Sequence, residues 1–252
     1  MVEPAPGAPL AGRNSQSGSM TRKERDSLPL IPRVAANRLS RYLRHLEELS
    51  NRGKATTSSH ELGKALGVTA AQVRKDLGYF GQFGFPGLGY KISNLIPEIK
   101  RILGTDRAWS AAMVGIGNLG NALLRYKGFQ AHGFRISALF DINPKLVGRT
   151  LEGLTVEPVE QMERVVQDRA IELAILSVPA SAAQEVADRL VRAGIRGIYN
   201  FAPVQLNLPE EIAYVSIDLA VELEQLAFLV SQRDREPVKR QGVEGSKSVG
   251  DL

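Results

Sequence analysis

The spacing Gly115-x-Gly117-x-x-Gly120, directly behind the apolar run Ala111-Ala112-Met113-Val114, constrains this chain more than any other feature. A strand that runs into such a turn and then into a helix opens a βαβ unit. Gly115 makes the tight turn, Gly117 leaves room for a pyrophosphate against the backbone, and Gly120 lets the helix pack close to the strand. Ile116, Asn118 and Leu119 complete the loop. The phosphates are expected at the helix start, where unpaired N–H groups and the helix dipole favour an anion. A second strand, "RISALFD", ends in Asp141. A carboxylate there accepts from the adenosine ribose hydroxyls and repels a 2′-phosphate, which selects NAD over NADP. Lys145 and Arg149 follow and are expected to be solvent-exposed. The spacing leaves open a sheet that binds another nucleotide, such as coenzyme A, or none.

The rest of the chain from Trp109 alternates in the same way. "IELAILSV", "RGIYNF", "AYVSID" and the weaker "LTVEP" read as strands, separated by helical stretches such as "VEQMERVVQD" and "SAAQEVADRLVRAG". Short turns between them predict a parallel sheet with helices on both faces.

The segment before it is helical and carries the positive charge. Residues 21–107 hold 16 Lys and Arg against 8 Asp and Glu, whereas residues 108–252 hold 15 against 18. An excess of +8 in one segment suits a part that meets phosphates, although a solvated basic surface has the same composition. Leu39, Leu43, Leu46 and Leu49 form one apolar stripe. In "SSHELGKALG", Ser58 and Glu61 have capping-box spacing, Leu62, Ala65 and Leu66 are expected to face inward, and Gly67 is placed to end the helix. Thr69 and Gln72 have the spacing of a second capping box, followed by the stripe Val73, Leu77 and Phe80.

Two capped helices joined by Gly67-Val68-Thr69 make a helix-turn-helix. The alternative is a helical hairpin used for dimerisation. On the DNA reading, Gln72, Arg74 and Lys75 reach base edges or phosphates, and Ser58 and Ser59 meet phosphates. "GQFGFPGLGY" reads as the hairpin wing, with Gly87, Gly89 and Tyr90 as further DNA contacts.

There is no cysteine, so thiol catalysis and cysteine-based metal or redox centres are excluded. A redox response then has to come through a bound ligand. The three histidines are His45, His60 and His132. The first two fall in the helical block, and His132 is expected at the surface. No catalytic or metal-binding set emerges, and a second, substrate-binding domain has no room. Sensing is favoured over hydride chemistry, with an oxidoreductase bearing a helical appendage as the rival. No signal peptide or membrane span is visible, and a cytoplasmic location is expected.

Taken together, "AAQVRKDLGYFGQFG", "PGLGY", "VGIGNLGNALLRYKGF", "LFDINPKLVG", "SVPASAAQEVADRLVRAGIRGIYNFAP" and "IDLAVELEQLAF" resemble the redox-sensing transcriptional repressor Rex family. The resemblance covers about residues 31–231. It implies a homodimer that binds a pseudo-palindromic operator in double-stranded DNA, is released by NADH, and lets NAD+ compete for the same pocket. It also implies that the last helix, with its stripe Leu219, Leu223, Leu226 and Val230, is exchanged between subunits; packing on its own domain is the alternative. The resemblance further implies that Arg44, Tyr126 and Asp218 occupy positions that trade contacts when the ligand changes; a solvated surface cation is the alternative for Arg44. The wing departs from the family in carrying Phe85-Pro86 where a basic residue is common, and Leu219 stands where an aromatic is frequent.

The expected fold is α/β, an N-terminal winged-helix domain plus a C-terminal Rossmann-type parallel sheet domain with a swapped C-terminal helix. Its expected divisions are a disordered tail (1–30), a winged-helix domain (31–106), a Rossmann domain (107–218), a dimerisation helix (219–232) and a second disordered tail (233–252).

Overall fold

The computed structural model describes residues 31–79, 84–85 and 89–235. Both expected tails lie outside these residues, except that the last helix runs to Arg235 rather than ending at 232. Phe80, Pro86 and Gly87 lie outside them as well.

The chain begins with α1 (Arg33–Asn51), β1 (Thr56–Thr57), α2 (Ser59–Leu66) and α3 (Ala70–Gly78). Then come β2 (Gly84–Phe85), β3 (Gly89–Lys91) and α4 (Ile92–Leu103). The three short strands pair antiparallel in the order β1-β3-β2. Leu39, Leu43 and Leu46 of α1, Leu62 of α2, Val73 and Leu77 of α3, and Ile92, Leu95 and Ile99 of α4 share one apolar core. Helix-turn-helix and strands together are the winged-helix arrangement that the caps and glycines predict. Ala65 does not face inward as expected; it is exposed, and Gly63 is buried in its place. The reason is local: a Cβ at Gly63 would lie 2.6 Å from the Val68 carbonyl, so the two helices close against bare backbone there.

The second part runs through β4 (Trp109–Val114), α5 (Asn118–Leu124), α6 (Gly128–Ala131), β5 (Phe134–Asp141), β6 (Thr150–Leu151) and β7 (Leu154–Pro158). It continues with α7 (Met162–Asp168), β8 (Leu173–Leu176), α8 (Ala180–Arg192), β9 (Gly197–Asn200), β10 (Ala213–Ser216) and α9 (Leu219–Arg235). The seven-stranded sheet has the order β10-β9-β8-β4-β5-β7-β6. The pairings β4–β8, β8–β9, β9–β10 and β5–β7 are parallel, and the edge pair β6–β7 is antiparallel. Strand β6 was not expected; two residues are too few to show a period. Ala112, Val114, Ala138, Phe140, Leu176 and Ile198 from the strands meet Val165, Val186 and Leu190 from the helices in one core.

The described chain divides into two compact units. One comprises the residues up to Trp109 with Lys127–Arg135; the other comprises Ser110–Tyr126 and the residues from Ile136 onward. The division therefore differs from the expected boundary at 106, and a short stretch around α6 groups with the helical unit.

Candidate functional site

In the helical unit, Ser58 Oγ accepts from the Glu61 amide while Glu61 Oε2 accepts from the Ser58 amide, which completes the expected capping box. Hydrogen bonds from Lys54, from Thr57 and from the Ser58 amide hold the Glu61 carboxyl below its ordinary range. Thr69 Oγ1 accepts from the Gln72 amide, so α3 is capped too. The reciprocal half of that second box is absent. Gln72 turns the other way, and its Nε2 donates to Asp76 at 2.8 Å.

Helix α3 presents Ala71, Arg74 and Lys75 to solvent and buries Val73 and Leu77. Arg74 Nη1 reaches Ser59 Oγ on α2 at 3.0 Å. That bond brings Arg74 of α3 to the start of α2. Lys75 stands beside them, exposed. Gly89 is committed to the strands: a Cβ there would lie 2.3 Å from the Thr57 carbonyl. Tyr90 corrects its expected role. It is 9% exposed and packs in the apolar core, so its ring is not a DNA-facing surface. Burial pushes its hydroxyl pKa up, against the opposing charge of Arg74. Gly87 lies outside the described residues.

One polar residue on this helix escaped the sequence reading. Asp76 is fully buried on the side of Val73 and Leu77. An acid on the apolar face of a basic helix was the available signal, since a buried carboxylate demands partners. They are Arg38 and Tyr42 from α1, together with Gln72.

In the sheet unit, β4 is flanked by β8 and β5. The chain reverses its direction of growth between β4 and β8, and crevices at such switch points take ligands in open α/β sheets. Gly115 has φ +88°, and a Cβ on it would lie 2.6 Å from the Ser177 carbonyl. A Cβ on Gly120 would lie 2.0 Å from the Gly115 carbonyl. A Cβ on Gly117 would meet nothing within 4 Å. Two glycines therefore close the turn, and the third keeps a space open over exposed Asn118 and Leu119, which is the cradle a pyrophosphate requires. Ile116 is buried, and its amide donates to Asp141 Oδ2 at 2.6 Å. Asp141 Oδ1 accepts from the Asn143 amide. Lys145 and Arg149 are exposed as expected. The other wall of the crevice was missed: Ser177 Oγ donates to the Gly115 carbonyl at 2.7 Å, which ties the loop after β8 to the turn after β4. A serine after an apolar strand carries no spacing signal of its own.

The three residues singled out as a switch fall in different units. Arg44 is exposed on α1 and borders a cleft of about 490 Å³ with Glu47, Lys100 and His132. Tyr126 is exposed in the sheet unit. Asp218 Oδ1 accepts from the Ala220 amide, so Asp218 caps the start of the last helix. In α9, Leu219, Leu223, Leu226 and Val230 are all exposed, so the stripe does not pack on its own domain. Among the described residues no cluster of His, Cys, Asp and Glu could hold a metal ion. No helix among them is long and apolar enough to cross a membrane.

Comparisons with known proteins find relatives for both parts of the chain. Residues 106–204 match the family model described as "CoA binding domain", and residues 30–78 match "Putative DNA-binding protein N-terminus". The redox-sensing transcriptional repressor Rex of Desulfitobacterium hafniense is 47% identical over 203 residues, covering 81% of this chain and 97% of the relative. That of Streptomyces coelicolor is 44% identical, covering 79% and 77%. Among solved structures, the Rex-family repressor RSP in complex with β-NAD+ and operator DNA is 37% identical with a TM-score of 0.78, covering 82% of this chain and 95% of that one. The same protein in complex with β-NADH is 36% identical with a TM-score of 0.74, covering 82% and 97%. The chain belongs to the Rex family of redox-sensing transcriptional repressors.

Proposed function

We propose that this chain is a redox-sensing transcriptional repressor that binds operator DNA as a homodimer and leaves it when NADH occupies the sheet unit. The observation that supports the reading is the combination in one chain of a capped helix-turn-helix with exposed Arg74 and Lys75 and a glycine turn, open at Gly117, beside Asp141. A relative of more than a third identity has been solved with NAD+ and operator DNA and with NADH.

In this reading Ser58, Ser59, Gln72, Arg74, Lys75 and the wing around Gly87 and Gly89 meet DNA. Gly115, Ile116, Gly117, Asn118, Leu119, Gly120 and Asp141 hold the dinucleotide. Arg44, Tyr126 and Asp218 couple the two. The bound cofactor supplies a nicotinamide that is cationic when oxidised and neutral when reduced; a crevice poor in polar partners favours the neutral ring, since burying a charge is costly. NADH loosens DNA only if it binds the DNA-incompetent arrangement more tightly, and operator DNA must then weaken NADH by the same factor. The chain acts by binding and not as an enzyme: its relatives are transcriptional repressors by name, and none of its three histidines belongs to the sheet unit that carries the glycine turn. It acts in the cytoplasm.

The match to a coenzyme A-binding domain favours a second ligand. Coenzyme A carries a ribose phosphate that the Asp141 carboxylate would repel, so the dinucleotide is preferred. The experiment is a titration of the protein–DNA complex with NADH, NAD+ and coenzyme A at fixed salt. Release by NADH at concentrations where NAD+ leaves the complex intact is expected. Release by coenzyme A alone overturns the reading.

A further inference from the structure

Asp76 has no exposed surface, yet it is surrounded only by donors. Arg38 Nε and Nη2 reach Oδ2 and Oδ1 at 2.6 and 2.7 Å. Tyr42 Oη reaches Oδ2 at 2.8 Å, and Gln72 Nε2 reaches Oδ1 at 2.8 Å. A carboxylate has about four acceptor sites, so two donors on each oxygen fill it. Burial pushes the Asp76 pKa up, but the bonds from Arg38, Tyr42 and Gln72 outweigh it and hold the carboxyl below its ordinary range. An ionised carboxylate cannot donate. The amide of Gln72 is therefore fixed in one orientation by chemistry: nitrogen inward, Oε1 free, with one N–H left over.

An oxygen acceptor beside an N–H donor is the pair that recognises adenine N6 and N7 in the major groove. Gln72 lies in the first turn of α3, the part of a recognition helix that contacts base edges. We propose that Gln72 reads an A·T pair in each half-site, and that Asp76, anchored to α1 through Arg38 and Tyr42, is the positioning residue that sets the orientation of its amide. This rests on the reading that α3 enters the major groove. Asp76 has no lone pair left for DNA, so its influence on sequence preference passes through Gln72.

The test uses the full chain and a pool of duplexes with a randomised central segment, from which wild type, Gln72→Ala and Asp76→Asn are each allowed to select, with thermal melts run in parallel. Wild type is expected to require adenine at one position of each half-site, by roughly 5- to 150-fold over other bases, the range of one good bidentate contact. Gln72→Ala should flatten that position and leave the others. Asp76→Asn should flatten the same position, because one of its two terminal atoms no longer accepts, the four donors no longer all find a lone pair, and the Gln72 amide is no longer held nitrogen-inward. If Asp76 were merely structural, Asp76→Asn would melt lower and bind all duplexes more weakly with an unchanged base profile, which overturns the proposal. Should Asp76→Asn not fold, an unchanged profile for Gln72→Ala overturns it equally. A wild-type chain that enriches no duplex refutes the DNA reading itself, and the proposal with it.

Discussion

Asp141 Oδ2 accepts a 2.6 Å hydrogen bond from the backbone amide of Ile116. The acid at the end of β5 thus fixes the middle of the glycine turn as well as standing where a ribose is expected. Each carboxylate oxygen can accept more than one hydrogen bond, so holding the turn does not exclude a ribose hydroxyl.

The two roles can be separated. Asp141→Asn keeps one acceptor oxygen for the two backbone amides of Ile116 and Asn143 and loses the charge; Asp141→Ala loses every acceptor and the charge. Calorimetry should give NADH affinity in the order wild type, Asp141→Asn, Asp141→Ala, with about 1.5–3 kcal/mol lost for a hydrogen bond to a charged group. Both variants should discriminate less against NADPH. Wild-type protein that binds NADPH as tightly as NADH would remove Asp141 from this role.

The glycines should part company in the same assay. Gly117→Val places a side chain in open space, so the fold should melt as wild type while NADH binding is lost. Gly120→Ala pushes a Cβ to 2.0 Å from the Gly115 carbonyl, which forces the turn open and should lower the melting temperature as well. If Gly117→Val binds NADH normally, the pyrophosphate does not cross that backbone.

These contrasts mark what the sequence could carry. The glycine turn, its strand and the acid at Asp141 were legible because they are contiguous and follow fixed spacings. The capping box at Ser58 and Glu61 was legible for the same reason. Asp76 was not, because its anchors Arg38 and Tyr42 lie 38 and 34 positions away. The half-formed second box follows from that: Gln72 has two candidate partners, and a buried carboxylate outcompetes a solvated amide. Tyr90 was misplaced because a glycine-rich hairpin reads as surface, whereas its alternate residues can face inward.

Arg74 and Lys75 should differ in kind. Arg74 is tied to Ser59 at the start of α2, where phosphates are expected. Arg74→Ala should weaken all duplexes about equally and reduce the salt slope by about 1. Lys75→Ala should cost about 1–3 kcal/mol and relax preference at one base pair. Unchanged binding by both variants would mean that α3 is not the reading helix.

Acid should unfold both units. Asp76 is held low against its burial by Arg38, Tyr42 and Gln72, and Glu163 is held low chiefly by the hydrogen bond from Arg189. A folded-state pKa below the unfolded value, about 3.9 for Asp and 4.3 for Glu, adds stability above that value. The stability is lost as pH falls through the folded pKa. Melting temperature should change little from these groups between about pH 6 and 8 and fall below about pH 4. Glu163→Gln should have a shallower acid limb than wild type. A limb that is unaltered would assign the acid sensitivity to other carboxylates.

The last helix is proposed to make the dimer contact. Leu219, Leu223, Leu226 and Val230 recur along one face of α9, while Val221 and Phe228 lie on the opposite face, and all are exposed in the single chain. A helix that is apolar on two sides cannot bury both by lying on one surface; it has to be enclosed. Each large apolar side chain removed from water contributes about 1.5–3 kcal/mol, so enclosing six of them is a strong drive to associate. Exchange of this helix between two subunits would supply the enclosure and the twofold symmetry that a pseudo-palindrome demands. Half-sites lie about 34 Å apart on one face of the duplex, and one helix-turn-helix cannot reach both. Leu223→Glu with Phe228→Glu charges both faces without shortening the chain. The doubly substituted protein should sediment as a monomer, retain NADH binding, and lose operator affinity while α3 stays intact. Truncation after Ile217 should do the same or precipitate. A doubly substituted protein that still sediments as a dimer and still holds the operator would place the dimer contact elsewhere on the chain.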